Sequence, residues 1–403
     1  MAEQEIYGSH IGLEPGRASA AFKSLDFSHS PGAEQERYAS HFGLRRGADL
    51  DKPVEPTPSS VPPPVVAPPP PIASPSFTLP GPEVNTTAVG ILKSTLLPSL
   101  GLHSGLSLVA YTGARVADRV EAKDWLWPSG QVINAWWSAI GTRIVNENIT
   151  LSDAFSTLSY SEKLLLGAVT AWGGRLFYRI ASRGIERGRD DPRYEVVKDE
   201  HGFWNKAFFT TFLPEAFFQT LITLPFTLPF REPQASTNTT LDLPAYAGLA
   251  HGLAVFLFSS GFGLEVLADV QLGRHKDSNS LNTDGVWSVV RHPNYLGDAL
   301  VHASFPLLVY SSGFVHPLVL LGPIANYVFL RYVGGDRENE AHQEQRYFKE
   351  KLPKYQQLQE YKSQKNSFWP KLSEVQNPWY WTIVALGVGG VVLERGLRDF
   401  LRG

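Results

Sequence analysis

The feature of this sequence that most restricts its fold is a series of apolar stretches after residue 85. A membrane-spanning helix requires roughly 20 apolar residues. Eight stretches approach or reach this length, at about residues 88–112, 131–147, 161–182, 207–230, 244–271, 297–312, 315–333 and 379–395. The second, sixth and eighth are short, which fits a tilted helix, a paired hairpin or an interfacial helix. The pattern predicts an all-α polytopic transmembrane bundle of about six to eight apolar helices.

The segment before these stretches has the composition of a disordered tail. Residues 1–85 are polar and rich in proline, and they cannot bury enough apolar surface to fold alone. The run from Pro53 to Pro82 should be polyproline II or a flexible linker. The predicted organisation is therefore the tail 1–85, membrane helices at 86–159, a membrane domain with the polar motifs at 160–371, and a C-terminal hydrophobic or interfacial helix at 372–403.

A short repeat lies inside the tail. The segment YGSHIGL at 7–13 recurs as YASHFGL at 38–44, and a second glycine follows each copy at Gly16 and Gly47. Two copies in a disordered tail predict a linear motif at 7–16 and 38–47 through which a protein partner docks. A local duplication without function accounts for the repeat equally well.

Composition excludes several classes of function. The chain has no cysteine, so disulfides, zinc–thiolate sites and cysteine nucleophiles are absent. The net charge is −3 and there is no long basic block, which argues against a nucleic acid partner. No zinc-protease, phosphate-loop or Rossmann motif occurs, so we expect no metal and no Rossmann domain. The acidic start predicts neither a signal peptide nor a mitochondrial presequence, and membrane insertion would depend on the internal stretches.

Loop charges predict the orientation of the bundle. The loop after the third stretch carries several cations and should be cytosolic: Arg183, Arg187, Arg189, Arg193 and Lys198. The loop at 231–243 has a single cation and the sequon Asn238-Thr239-Thr240, so it should be lumenal. A second sequon, Asn148-Ile149-Thr150, falls on the same side. These features predict an integral protein of the endoplasmic reticulum, with the loop at 272–296 facing the cytosol.

The densest polar motif is Arg291-His292-Pro293-Asn294-Tyr295-Leu296-Gly297-Asp298, between two apolar stretches. Polar groups at membrane depth are costly and usually functional. Pro293 fits the first position of a helix, because it fixes its own φ and disfavours helix at His292. Free N–H groups at that helix start, beside Arg291, would bind a phosphate or pyrophosphate. A capped helix start whose Arg291 and His292 lie among lipid headgroups explains the same spacing.

Two further segments carry polar groups that could do chemistry. Glu265 and Asp269 are four residues apart on one face of an apolar stretch, and Arg274 follows at its end. They need water, a cation or a hydrogen-bonding ligand such as a ribose or an amide, or else an internal pair with a neighbouring arginine. Farther on, a helix over 336–347 would place Asp336, Glu340 and Tyr347 on one face and His342 on another. A solvated, charged surface helix is the simpler interpretation of that segment.

These motifs together resemble the steroid 5-alpha-reductase superfamily, in particular its uncharacterised branch with the steroid 5-alpha-reductase C-terminal-like domain. Besides the 291–298 motif, the matching residues are Trp172, Arg175, Leu176, Asp191, Arg193, Tyr194, Glu265, Asp269, Gln271, Leu272, Tyr361, Phe368 and Pro370. The resemblance covers about residues 160–371. Sterol C14 and delta-7 reductases share the 291–298 string, and their later motif matches Glu340, His342 and Tyr347.

The resemblance implies an NADPH site inside the helical bundle. Its implied contacts are Glu265, Asp269, Arg274, Arg291, His292, Asn294, Tyr295, Asp298, Glu340, His342, Tyr347 and Tyr361. Arg291 and the helix start would bind phosphate, while Asn294 and Asp298 would hold the nicotinamide end. The implied reaction is hydride transfer to a polarised C=C bond of a hydrophobic substrate, a lipid or sterol-like enone. The sequence does not identify a catalytic acid among the early helices.

Two other functions remain open at this level. The Arg-His-Pro-x-Tyr-x-Gly string also occurs in isoprenylcysteine and phospholipid methyltransferases, which bind S-adenosylmethionine. The helix with Glu265 and Gln271, and the segment ending at Tyr194, favour the reductase. The second alternative is a non-catalytic membrane protein with a degenerate pocket, docked through its tail.

Overall fold

The computed structural model describes residues 88–191, 194, 198–231, 243–275, 280–350 and 353–402. The predictions about the tail 1–85, its repeat and the sequon at Asn238 lie outside these residues. All regular structure in the described ranges is helical, which confirms the all-α prediction for this part of the chain.

Twelve helices, some of them continuous through a π-helical turn, follow one another along the described chain. They are α1 (Ala88–Ile91, Leu92–Leu96 and Leu97–Ala117), α2 (Ala122–Trp136, Trp137–Gly141 and Thr142–Glu147), α3 (Leu151–Ser156), α4 (Tyr160–Arg187), α5 (Phe203–Ala207, Phe208–Phe212 and Leu213–Ile222), α6 (Leu228–Arg231), α7 (Ala247–Arg274), α8 (Pro293–Ser311), α9 (Leu321–Val328 and Phe329–Val333), α10 (Asp336–Lys349), α11 (Lys354–Gln364) and α12 (Pro378–Arg402). Short 3₁₀ turns at Leu224–Phe226, Gly285–Ser288, Pro317–Leu320 and Leu372–Gln376 connect several of them.

Each predicted apolar stretch lies in helical structure. The short stretch at 131–147 is the second half of the longer α2, which starts at Ala122, and the stretch at 379–395 belongs to the 25-residue α12. The stretch at 207–230 is interrupted at Thr223 and Thr227, between α5 and α6. The apolar stretches of the sequence thus located these helices.

Local signals explain where the helices that carry the site begin and end. Ser159 and Glu162 form a reciprocal capping box at the start of α4, and Gly188 ends it in the left-handed region with φ 68°. Pro293 occupies the first position of α8, as predicted, and the amide of Leu296 donates to the His292 oxygen at 3.1 Å.

Two helices, Ala247–Arg274 and Pro378–Leu401, are long and apolar enough to cross a membrane, and Pro317–Val333 is a shorter apolar helix. This supports membrane association of the chain. The predicted number of six to eight spanning helices goes beyond that finding.

Contacts at both ends of the helices give their directions. At one end, Tyr160 on α4 and His251 on α7 both contact Glu394 on α12. About four turns farther along, Arg175 on α4 contacts Glu265 and Asp269 on α7. α4 and α7 therefore run parallel. α12 runs antiparallel to α7, because Leu386 packs on Gly263 whereas Glu394 reaches His251.

Candidate functional site

The site is built on the crossing of α7 and α8, where two glycines bring the backbones into contact. A Cβ added to Gly261 would lie 2.5 Å from the Gly297 oxygen, and one added to Gly297 would lie 2.6 Å from the Gly261 oxygen. Only glycine fits at either position without moving a helix. The side chain of Glu265 packs directly over Gly297, and Asp298 is one of the charges that act on the Glu265 carboxylate. The crossing thus places two acidic side chains in one interior region.

Arg175 on α4 neutralises the acidic face of α7. Its Nη1 donates to Asp269 Oδ2 at 2.6 Å, and its Nη2 donates to Glu265 Oε2. Arg179 lies 3.8 Å from the Asp269 carboxylate. The internal pair with an arginine, one of the explanations considered from the sequence, is therefore present. Glu265 is fully buried, and its Oε1 atom has no hydrogen bond among the described residues.

A set of buried polar side chains, here called the inner polar cluster, surrounds Asp298. Its members are Gln131, Trp172, Glu265, Asp298, His302 and Asn326, and each is at most 1% exposed. They come from α2, α4, α7, α8 and α9. The inner polar cluster is thus the place where five helices meet.

Hydrogen bonds link most of this cluster. Asn326 Nδ2 donates to Asp298 Oδ2 at 3.3 Å. His302 Nδ1 lies 3.0 Å from the Asp298 backbone oxygen, and its Nε2 lies 3.4 Å from Gln131 Oε1. The Trp172 ring packs edge-on against the His302 ring at 4.7 Å.

Several polar atoms of the inner polar cluster have no hydrogen-bond partner among the described residues. They are the acceptors Glu265 Oε1, Asp298 Oδ1 and Asn326 Oδ1, the donor Trp172 Nε1, and Nε2 of the Gln131 amide. Asp298 Oδ1 lies 3.1 Å from His302 Nδ1, but that nitrogen is directed at the backbone oxygen of the same residue. A buried polar atom without a partner costs about 1–3 kcal/mol. Five such atoms in one place favour a bound ligand or ordered water that supplies the missing hydrogen bonds.

A second group of predicted residues forms an ion-pair network at the start of α8. Arg291 contacts the Glu340 carboxylate with Nε at 2.8 Å and Nη2 at 2.9 Å, and His292 Nε2 lies 2.9 Å from the same carboxylate. Arg291 Nη1 donates to the Lys365 backbone oxygen. The guanidinium of Arg291 is therefore already paired in this structure. We refer to Arg291, His292 and Glu340 as the helix-start network.

The helix-start network controls the protonation of Glu340. Burial alone would raise the pKa of Glu340, but the hydrogen bonds and positive charges of His292 and Arg291 outweigh it and lower the pKa to about 2. Glu340 is therefore a carboxylate at neutral pH. As predicted, Asp336, Glu340 and Tyr347 share the buried face of α10.

The predicted aromatic residues hold the surrounding segments in place. Tyr295 stacks on His292 at 5.5 Å and accepts a hydrogen bond from Asn339. Tyr361 donates to the backbone oxygen of Trp287 in the segment before α8. Burial raises the pKa of the Tyr361 phenol, so this group stays a hydrogen-bond donor. Tyr347 packs with Tyr361 in a small apolar cluster.

The predicted site residues thus fall into distinct groups. Glu265, Asp269 and Asp298 converge at the α7–α8 crossing, while Arg291, His292 and Glu340 converge about 9 Å away along the helix, by the rise per residue. Two predicted contacts are exposed, Arg274 at the end of α7 and His342 on α10. Asn294 is buried in the first turn of α8, between the two groups.

Four members of the inner polar cluster were not among the predicted contacts: Gln131, Trp172, His302 and Asn326. A signal for two of them exists in the sequence, since His302 follows Asp298 by one helical turn and Asn326 is an amide inside an apolar stretch. Arg175 was predicted only as one of the residues that carry the family resemblance.

The described part of the chain is thus all-helical, with two helices apolar enough to cross a membrane and a buried polar site at a helix crossing. Residues 120–361 match the family model described as "Protein of unknown function (DUF1295)". This match covers more than half of the chain, and the protein belongs to that family, which is steroid 5-alpha-reductase-like. No curated protein and no solved structure matches the chain. The more specific branch inferred from the motifs stays a prediction.

Proposed function

We propose that this protein is an NADPH-dependent membrane reductase that acts on a C=C bond of a lipid or sterol-like enone. The single observation that carries the proposal is the group of unsatisfied polar atoms in the inner polar cluster. Natural interiors pair nearly all of their buried polar groups. A buried group of unpaired donors and acceptors therefore favours a bound polar ligand over a purely structural role.

The chemistry of these atoms fits a nicotinamide carboxamide. Its NH₂ group can donate two hydrogen bonds, and its carbonyl oxygen can accept hydrogen bonds from other donors. Asp298 Oδ1 and Asn326 Oδ1 provide acceptors, while Trp172 Nε1 provides a donor. NADPH would supply a hydride there, and the residues of this chain would orient the ring and exclude water.

The charged end of the cofactor fits less directly. The Arg291 guanidinium already donates hydrogen bonds to Glu340 and to backbone oxygens. A phosphate at the start of α8 must therefore compete with Glu340 for this side chain. The exposed Arg274 at the end of α7 provides a cation that needs no such exchange. We therefore expect Arg274 to contribute to phosphate affinity and Arg291 mainly to hold Glu340.

The fold and the loop charges support a membrane setting for this reaction. Two helices, α7 and α12, satisfy the length and composition of a span, and α7 packs against both α8 and α12. The proposal places six to eight of these helices in the membrane of the endoplasmic reticulum, with the helix-start network toward the cytosol. A hydrophobic substrate would then enter from the lipid, and the tail repeats would dock a protein partner.

A ligand-binding experiment tests the proposal. The full chain is purified in detergent, and its thermal midpoint is measured with NADPH and with S-adenosylmethionine, because a ligand that binds the folded state raises the midpoint. We expect a shift with NADPH alone and its loss in Asp298→Ala and Asn326→Leu. Gln364→Leu, an exposed amide on α11, is the matched control and should keep the shift.

The other possible outcomes of this thermal-shift experiment favour the two alternative functions. A shift with S-adenosylmethionine alone would overturn the reductase in favour of the methyltransferase. No shift with either, together with an unchanged lipid profile in cells that lack the protein, would favour the non-catalytic alternative. The lipid profile of an Asn294→Ala, Asp298→Ala double variant, compared with the deletion, would identify the substrate class.

A further inference from the structure

A second buried polar region lies between α1, α2, α5 and α6, outside the site proposed for the cofactor. Its side chains are almost completely buried: Thr95, Ser99, His103, Lys123, Asn134, Glu215, Gln219 and Thr223. A polar interface between apolar helices is costly and usually functional. The four residues around its centre, His103, Lys123, Glu215 and Gln219, are called the second polar site below.

Hydrogen-bond directions fix the protonation pattern of His103. Arg231 can only donate, and its Nη2 lies 3.1 Å from Asn134 Oδ1, so this atom of the Asn134 amide is the oxygen. The Asn134 nitrogen then donates to His103 Nε2 at 3.2 Å. His103 Nε2 is therefore an acceptor and Nδ1 carries the hydrogen. The second polar site thus contains an N–H donor whose direction is set by Arg231.

A glycine leaves room for this donor beside an acceptor. A Cβ added to Gly130 on α2 would lie 2.7 Å from Gln219 Oε1 and 3.3 Å from His103 Nδ1. Both atoms therefore border the same small space next to the α2 backbone. A side chain at position 130 would fill it.

Two acceptors on α5 make no hydrogen bond to the described residues. Glu215 Oε1 and Gln219 Oε1, one helical turn apart, have no hydrogen bond among the described residues, although they are only 1% and 2% exposed. Lys123 Nζ lies 3.9 Å from Glu215 Oε1, too far for a direct hydrogen bond. A bound molecule that donates a hydrogen bond would satisfy either acceptor.

We propose that the second polar site binds the hydroxyl group of a lipid alcohol. A hydroxyl both donates and accepts, so it can satisfy Gln219 Oε1 or Glu215 Oε1 while it accepts from His103 Nδ1. An ether could only accept, so it would leave these acceptors without a donor. Water has the same hydrogen-bonding chemistry, so the test must separate water from an alcohol.

The test compares two probes that differ only in the hydroxyl. The full chain in detergent is titrated with 1-dodecanol and with dodecyl methyl ether, and the dissociation constant is taken from the dependence of the thermal midpoint on concentration. We expect 1-dodecanol to bind about tenfold tighter than the ether, the effect of one buried hydrogen bond. Gln219→Leu should remove this difference, and the exposed Gln364→Leu should keep it.

Two further measurements keep the inference testable if Gln219→Leu fails to fold. Glu215→Gln retains an acceptor oxygen and should still prefer the alcohol. A photoreactive dodecanol should crosslink to peptides of α1, α2 and α5. Equal affinity for the two probes in the wild-type chain would mean that the site holds only water, and crosslinks confined to other helices would likewise overturn the proposal. Neither measurement depends on NADPH binding.

Discussion

Arg175 compensates the negative charge of the two carboxylates on the acidic face of α7. One guanidinium contacts two carboxylates, one of them fully buried, and only 18% of the Arg175 side chain is exposed. The planar fork of arginine can hold two carboxylates at once, which the ammonium of lysine does less well. The sequence alone could not separate this role from that of the neighbouring arginines, because the partners lie about 90 residues away on another helix.

Loss of Arg175 should therefore destabilise the protein strongly. Arg175→Ala leaves Glu265 buried and unpaired, and breaking a buried ion pair in this way costs about 3–5 kcal/mol. Arg175→Lys should recover part of the loss. The thermal midpoint of the detergent-purified chain measures both. Arg346→Ala, which removes an exposed pair with Glu350, is the control and should change stability by less than about 1 kcal/mol.

The lowered pKa of Glu340 predicts how the stability of the fold depends on pH. Its pKa is lowered from 4.5 to about 2 in the folded protein, so it stabilises the fold above its unfolded pKa. That contribution should fall as pH decreases from about 4.5 to about 2, as carboxylate protonation requires. The stability difference between wild type and Glu340→Gln, followed by chemical denaturation at several pH values, should shrink across this window. A difference that stays constant from pH 6 to pH 2 would contradict the assignment.

At the scale of the helices, the sequence predicted the positions well and the contacts poorly. Hydrophobic stretches located every long helix, and Pro293 correctly predicted the start of α8. The inner polar cluster could not be assembled in this way, since Gln131, Asp298 and Asn326 come from three separate helices. Which faces of helices meet is decided by packing across the bundle, and a single sequence carries little information about that.

The crossing of α7 and α8 gives a prediction for these two helices. Gly297→Ala places a Cβ within 2.6 Å of the Gly261 oxygen, so the helices must separate. Such overpacking typically costs about 1–3 kcal/mol. Ligand binding at the inner polar cluster should weaken along with stability. Gly252→Ala on α7 meets nothing within 4 Å and should be neutral or slightly stabilising, because alanine favours helix.

For the whole molecule, the absence of cysteine provides a direct test of the proposed membrane topology. Single cysteines can be placed at exposed positions without removing native ones: Ser152→Cys on α3, Ser363→Cys on α11 and Asp399→Cys near the end of α12. In sealed microsomes, a membrane-impermeant maleimide should label Ser363→Cys at once. It should label the other two only after permeabilisation, since both lie at the opposite end of the bundle. Labelling of all three in intact vesicles would contradict the topology.

The antiparallel contact of α12 with α7 bears on how the chain matures in the cell. The family match ends at residue 361, before α12 begins. Nevertheless, α12 packs on Ser259 and Ser260 of α7, and its Glu394 carboxylate contacts the His251 imidazole. A chain truncated before Pro378 would leave two hydroxyls and the His251 imidazole of α7 without the cover of α12. If α7 lies in the membrane, as proposed, these polar groups would face lipid, and we expect the truncated chain to be recovered folded at a lower yield than the full chain.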